Sequence, residues 1–214
     1  MKKLLSVLLV LIMTLTMVAC TAKNDPQESE TTTEAESKVE LSRGKFNGDV
    51  YTNEFLEFSF TKPATWIYST DEEIASMVNL GAEAILGENF KETLEKSASI
   101  YDMLVVDSVT RTNISVGYEN LAKNLATNIT IEQYVDALKR QFESVPSMTV
   151  TFPDTYETAT LGKTEFTKVV CSTSTQGVTM TQIYYLKKVD VYMTFIIVTI
   201  PSGYTASQIE AMFK

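Results

Sequence analysis

The chain predicts an α+β domain, a mainly antiparallel sheet with helices packed on both faces. Three observations carry this. Runs with apolar residues at every second position outnumber runs with helical spacing. Successive strand-like runs are joined by short turn pairs, Asn47-Gly48 and Gln176-Gly177 among them, and not by helical crossovers. The last strand-like run, VYMTFIIVTI, is apolar on both sides, which marks a strand inside a sheet with cover above and below.

Before the domain stands MKKLLSVLLVLIMTLTMVAC. Lys2 and Lys3 form a positive start, Leu4 to Leu15 an apolar core, and small Ala19 precedes Cys20. This is the layout of an export signal. The run is too short, and too interrupted by Thr14 and Thr16, for a permanent span. Its end, Met17-Val18-Ala19-Cys20, resembles the lipobox of bacterial lipoproteins, with Met17 in place of the usual Leu. The resemblance implies cleavage between Ala19 and Cys20, acylation of the Cys20 thiol, and anchoring at the extracytoplasmic face of the cell membrane. An ordinary secretory signal with an incidental cysteine is the alternative. Residues 1–19 are thus read as signal peptide and residues 20–44 as acylated cysteine plus flexible acidic tether. Thr21 to Glu40 is rich in Glu, Ser and Thr and nearly free of large apolar residues, so it cannot bury enough surface to offset its ordering entropy.

Residues 45–214 are read as one domain. Asn47-Gly48 forms a turn, and FLEFSF (Phe55 to Phe60) reads as a strand with Leu56, Phe58 and Phe60 on one face, stopped by Pro63. Trp66 reads as a core plug, with a ligand-stacking platform as the alternative. Thr70 and Glu73 form a capping box opening a helix with Ile74, Met77, Val78, Ala82 and Ile85 on one face, ended by Gly87. Residues 88–98 read as a short helix or a loop anchored by Phe90 and Leu94. Strands follow at Tyr101 to Asp107 and Thr112 to Tyr118. Then comes the clearest helix, opened by a Thr130/Gln133 capping box, with Ile131, Tyr134, Val135, Leu138 and Phe142 as its stripe. Strands at Met148–Phe152, Thr155–Thr160, Lys163–Ser172, Val178–Lys188 and Val191–Ile200 form a meander. A last helix begins near Ser207, with Glu210 completing S-x-x-E.

Composition removes several function classes. There is no histidine, which excludes Ser-His-Asp and Cys-His nucleophilic sites and His-ligated zinc. With Cys20 acylated, Cys171 has no disulfide partner; it reads as a small buried hydrophobe, not a reactive thiol. The full chain carries 18 basic and 27 acidic residues, net −9. Loss of residues 1–19 removes Lys2 and Lys3, leaving 16 basic against 27 acidic residues, net −11. That balance argues against nucleic acid and against electrostatic adhesion to anionic lipid. Asp71-Glu72-Glu73 reads as a favourable cluster at a helix N-terminus and not as a calcium site, since the EF-hand spacing is absent. Tyr184 and Tyr185 fall on opposite faces of one strand, so one of them is expected to be exposed. Asn113 and Asn128 match the glycosylation pattern, which has no consequence in the bacterial setting that the lipobox resemblance implies.

The stretch YTNEFLEFSFTKPATWIYSTDEEI resembles the opening of the Mog1/PsbP-like family through Tyr51, Asn53, Phe55, Phe58, Phe60, Pro63, Trp66 and Glu73. NISVGYENL, TIEQYVDALKRQF and YMTFIIVTIP fit as well. Many relatives carry Gly where this chain has Glu57. The resemblance implies an α/β/α sandwich and a partner-binding role, without a shared reaction. No catalytic residue, metal site or cofactor is expected. The expected function is a lipid-anchored, non-enzymatic accessory module with an envelope-protein partner. The alternative is a lipoprotein that binds a small molecule or peptide. A carboxylate-dependent enzyme is a third reading, for which no acidic pair stands at a telling spacing.

Overall fold

The computed structural model describes residues 41–78, 90–124 and 126–214. Eight strands form one antiparallel sheet: β4 (Trp66–Tyr68), β5 (Ser99–Asp107), β6 (Asn113–Asn120), β11 (Tyr192–Ile200), β10 (Val178–Val189), β9 (Thr164–Thr175) and β7 (Met148–Thr151) in spatial order. The eighth, β8 (Glu157–Leu161), pairs with the first half of β9, while β7 pairs with the second. β11 lies between β6 and β10, and its residues are buried toward both sides. The expected two-faced strand is therefore internal: Met193, Phe195 and Ile197 join one core, and Tyr192, Ile196, Val198 and Ile200 the other.

One core gathers Ile74 of α1 (Asp71–Val78) and Tyr134, Val135 and Phe142 of α3 (Ile131–Glu143) over Leu104, Tyr184 and Phe195. The other is covered by α2 (Phe90–Lys96), by α4 (Ala206–Glu210), and by an element the sequence did not reveal. β1 (Lys45–Asn47), β2 (Val50–Asn53) and β3 (Phe58–Thr61) form a separate three-stranded sheet that places Tyr51, Phe58 and Phe60 in this core. The chain's last residues extend it: Ser59 and Lys214 exchange backbone hydrogen bonds at 2.7 and 2.8 Å.

Local signals account for most elements. Thr130 and Gln133 cap α3 reciprocally, and Thr70 and Glu73 do the same for α1. The continuation of α1 to Ile85 and its end at Gly87 lie outside the described residues. Phe90 and Leu94 anchor α2 as a helix, not a loop. The strand expected over Phe55–Phe60 is shorter. Residues Glu54–Glu57 turn, Glu57 sits at φ 51°, and pairing begins at Phe58, yet Leu56 still enters the core. The last helix is capped by Thr205 and Gln208, not by Ser207 and Glu210. Glu210 is drawn away by the Tyr185 hydroxyl at 2.8 Å and Lys168 at 2.9 Å. The first hairpin's two-residue loop is Gly48-Asp49, with Asn47 still in β1 and Gly48 at φ +59°, a backbone region in which glycine is unstrained.

Candidate functional site

At the start of the described residues, a buried polar cluster ties five segments together. β5 carries a bulge between Tyr101 and Met103. A bulge adds one residue to a strand and re-aims its side chain. The added residue is Asp102, fully buried on the side of the small sheet. Its carboxylate accepts the Tyr51 hydroxyl at 2.5 Å, the Gly44 N–H at 2.9 Å, Asn53 Nδ2 at 3.2 Å and the Tyr118 hydroxyl at 3.3 Å. Arg43 Nε lies 3.5 Å from its other oxygen. The guanidinium grips Asp71 at the start of α1 with both terminal nitrogens, one at 2.9 Å. Asn53 donates on to Tyr118 at 2.6 Å and receives the Leu56 N–H at 2.7 Å. Burial raises the Asp102 carboxyl above its ordinary pKa, and the donors around it pull it back down. Burial and the neighbouring Asp102 push the Tyr51 and Tyr118 phenols well up, so both remain protonated donors. The backbone packs as closely as the side chains: a Cβ on Gly44 would stand 2.3 Å from the Tyr51 ring. The cluster is built to hold the entry of the chain, with Asp102 sealed from solvent.

A second polar group lies beneath α3. Glu119, buried in β6, accepts the Tyr134 hydroxyl at 2.7 Å. The neighbouring Tyr101 hydroxyl is buried without a hydrogen-bond partner, and its ring packs on Phe195 at 5.5 Å. Burial first, and Glu119 next, push the Tyr101 phenol well above its ordinary pKa. Between α3 and the sheet is a cavity of about 30 Å³, lined by Glu119, Tyr134, Tyr184 and Phe195 among others. One water occupies roughly this much space, whereas small-molecule sites run to about 300–1,000 Å³. A larger concavity, about 550 Å³, is an open groove lined by the end of α3 and by Met148 to Asp154. Its floor includes Phe142 and Phe152, whose centroids are 6.0 Å apart, and Lys139 stands 5.7 Å over Phe152. The groove follows β7, the outermost strand at that end of the sheet order.

No family model matches the chain, and no curated protein matches it. Solved structures to which the chain is similar include the solution structure of cyanobacterial PsbP (CyanoP) from Synechocystis sp. PCC 6803. The TM-score is 0.44 and the identity 9%, over 85% of this chain and 97% of that one.

The residues singled out from sequence fall as follows. Ala19 and Cys20 lie outside the described residues. Trp66 is buried, with Nε1 donating to the Tyr204 hydroxyl at 3.0 Å, a core role. Cys171 is buried, and burial pushes its thiol up to about 12. Tyr184 and Tyr185 do face opposite cores, but both are buried. Asp71 holds Arg43, and no three His, Cys, Asp or Glu side chains among the described residues are grouped to hold a metal. Asn113 is buried and Asn128 exposed. Arg43, Asp102, Glu119 and Tyr134 escaped attention as polar groups. The available signal was a lone Asp in the apolar run YDMLVV.

Proposed function

We propose that this protein is a lipid-anchored accessory module on the extracytoplasmic face of the cell membrane, where it binds an envelope protein and catalyses no reaction. The observation that carries the reading is the order of its N-terminal features. A positive start and an apolar core lead to Ala19-Cys20, and an acidic spacer then separates that cysteine from a domain. The domain's most deeply buried carboxylate, Asp102, is engaged in holding the spacer's end, and neither concavity described above includes it. The same reading takes the domain as a three-layer α/β/α sandwich of the Mog1/PsbP-like kind.

The test is in-cell crosslinking with affinity recovery and mass spectrometry, comparing the wild type with Cys20→Ser. The reading expects acylation of Cys20 and one specific envelope partner whose recovery falls in Cys20→Ser. Acylation without any partner refutes the accessory role. One observation favours a second reading, peptide binding: the groove beside β7 has the volume of a ligand site and runs along a strand end of the sheet, where an extended chain adds by backbone hydrogen bonding. Peptide-induced perturbation confined to Met148–Asp154 in amide NMR spectra is the result that supports it.

A further inference from the structure

The chain enters the domain at one corner. Leu41 packs on the core, Arg43 and Gly44 are fixed to Asp71 and Asp102, and β1 follows at once. β1 presents Phe46, which remains 42% exposed although its ring meets Tyr51 at 5.1 Å and Tyr68 edge-on at 5.0 Å. Tyr68 ends β4, the edge strand of the large sheet. Lys45 and Lys62 flank these rings, each in an ion pair, with Glu54 and Asp49 respectively. An apolar aromatic patch rimmed by lysines is the composition proteins place at a membrane–water boundary.

Thr21–Glu40 supplies twenty residues between Cys20 and the fixed junction. Fully extended they reach about 70 Å, and as a coil much less. We infer that Phe46 and Tyr68 seat on the bilayer surface when Cys20 is acylated. The inference rests on the lipid-anchor reading. The occupant is lipid and not a protein because the patch adjoins the point from which the tether leads back to the bilayer. Contact is apolar: the lysines are paired, and the mature chain is strongly acidic, so anionic headgroups offer no net attraction. A patch this small binds negligibly by itself, and the tether supplies the effective concentration that makes it count.

The test uses the full chain, acylated, in phosphatidylcholine–phosphatidylglycerol vesicles. An environment-sensitive fluorophore is attached at Lys45→Cys, beside an intact Phe46. A control label sits at Val178→Cys, on the β9–β10 turn, separated from β4 by β5, β6 and β11. Cys171, buried with its thiol pushed up, leaves the labelling selective. The expected result is several-fold stronger quenching by lipid-borne nitroxides at 45 than at 178, insensitive to salt. It should be lost in Phe46→Ser and absent in the Cys20→Ser chain. Flotation with the vesicles but equal, weak quenching at both labels overturns this inference and leaves the anchor reading standing. Failure to float overturns both. Shielding of the 45 label that requires added envelope protein assigns the patch to a protein partner and overturns the lipid contact.

Discussion

Removing the Asp102 carboxylate tests whether the entry cluster stabilises the fold. In Asp102→Ala, the Gly44 N–H and the Tyr51 hydroxyl lose acceptors at 2.9 and 2.5 Å in a site closed to water. Arg43 keeps Asp71, and Asn53 keeps donating to the Tyr118 oxygen, but the Tyr118 hydroxyl also loses its acceptor, at 3.3 Å. Each orphaned buried donor costs about 1–3 kcal/mol, and the loss of the carboxylate's own desolvation penalty offsets part of the sum. The expected net loss is about 3 kcal/mol, a large share of a typical 5–15 kcal/mol. With a urea m-value of about 2 kcal/mol/M, the unfolding midpoint falls by about 1.5 M. A loss under about 1 kcal/mol refutes the reasoning. The pH dependence supplies an independent check. Burial raises the folded carboxyl above its ordinary 3.8, so over the window upward from 3.8 the folded state holds the proton more tightly than the unfolded state. This group's contribution to stability is therefore complete below 3.8 and is lost as pH rises through its folded value. Asp102→Asn should remove that falling component from a plot of stability against pH. An unchanged plot refutes the assignment.

Four further outcomes are expected. Gly44→Ala should cost at least about 2 kcal/mol in urea unfolding, since its Cβ meets the buried Tyr51 ring at 2.3 Å. Gly48→Ala, with open space but φ +59°, should cost only about 1 kcal/mol. Glu57→Gly should raise the thermal midpoint, because Glu57 holds φ 51° and relief of that conformation is worth about 1 kcal/mol before glycine's entropy is subtracted. In Cys20→Ser, the remaining thiol, Cys171, should resist a disulfide reagent at pH 8 in the native state and react fully in urea, since burial pushes it up to about 12. Rapid native-state labelling would contradict its burial.

What could be read from the sequence was local. The capping boxes at Thr70 and Thr130 and the two-faced run in β11 are written in a few adjacent residues, and the fold uses them as written. The errors arise where two local patterns compete or a distant partner decides. Thr205/Gln208 and Ser207/Glu210 both satisfy the capping spacing. Tyr185 and Lys168 settle the contest by taking Glu210. Alternation in FLEFSF names the buried residues correctly but cannot reveal that Glu57 turns the chain. The separate sheet of β1, β2 and β3 was illegible because short antiparallel hairpins carry the same pattern whether or not they join the main sheet. Of the candidate site, Asp102 was detectable as a charge in an apolar strand. Its contact with Gly44, 58 residues earlier, has no local signature.

A buried charged cluster is an uneconomical source of stability, since well-packed apolar residues in its place often do as well. What it does provide is direction. Residues 43–44, the start of α1, the β5 bulge, β2 and β6 meet through Asp102 and Arg43 in one arrangement, because their buried donors converge on the one carboxylate. An apolar substitute would allow the entering chain to slide or lift away without leaving a polar group unpaired. For a free domain that difference is small. Under the proposed lipid anchoring it sets which surface turns toward the membrane, and β1, with Phe46, is the first surface beyond the clasp. The two features are therefore separable by experiment: Asp102→Asn, while still folded, should weaken lipid quenching beside Phe46 by loosening the junction. Phe46→Ser should abolish the same signal at a stability cost of only about 1–2 kcal/mol from its two ring contacts.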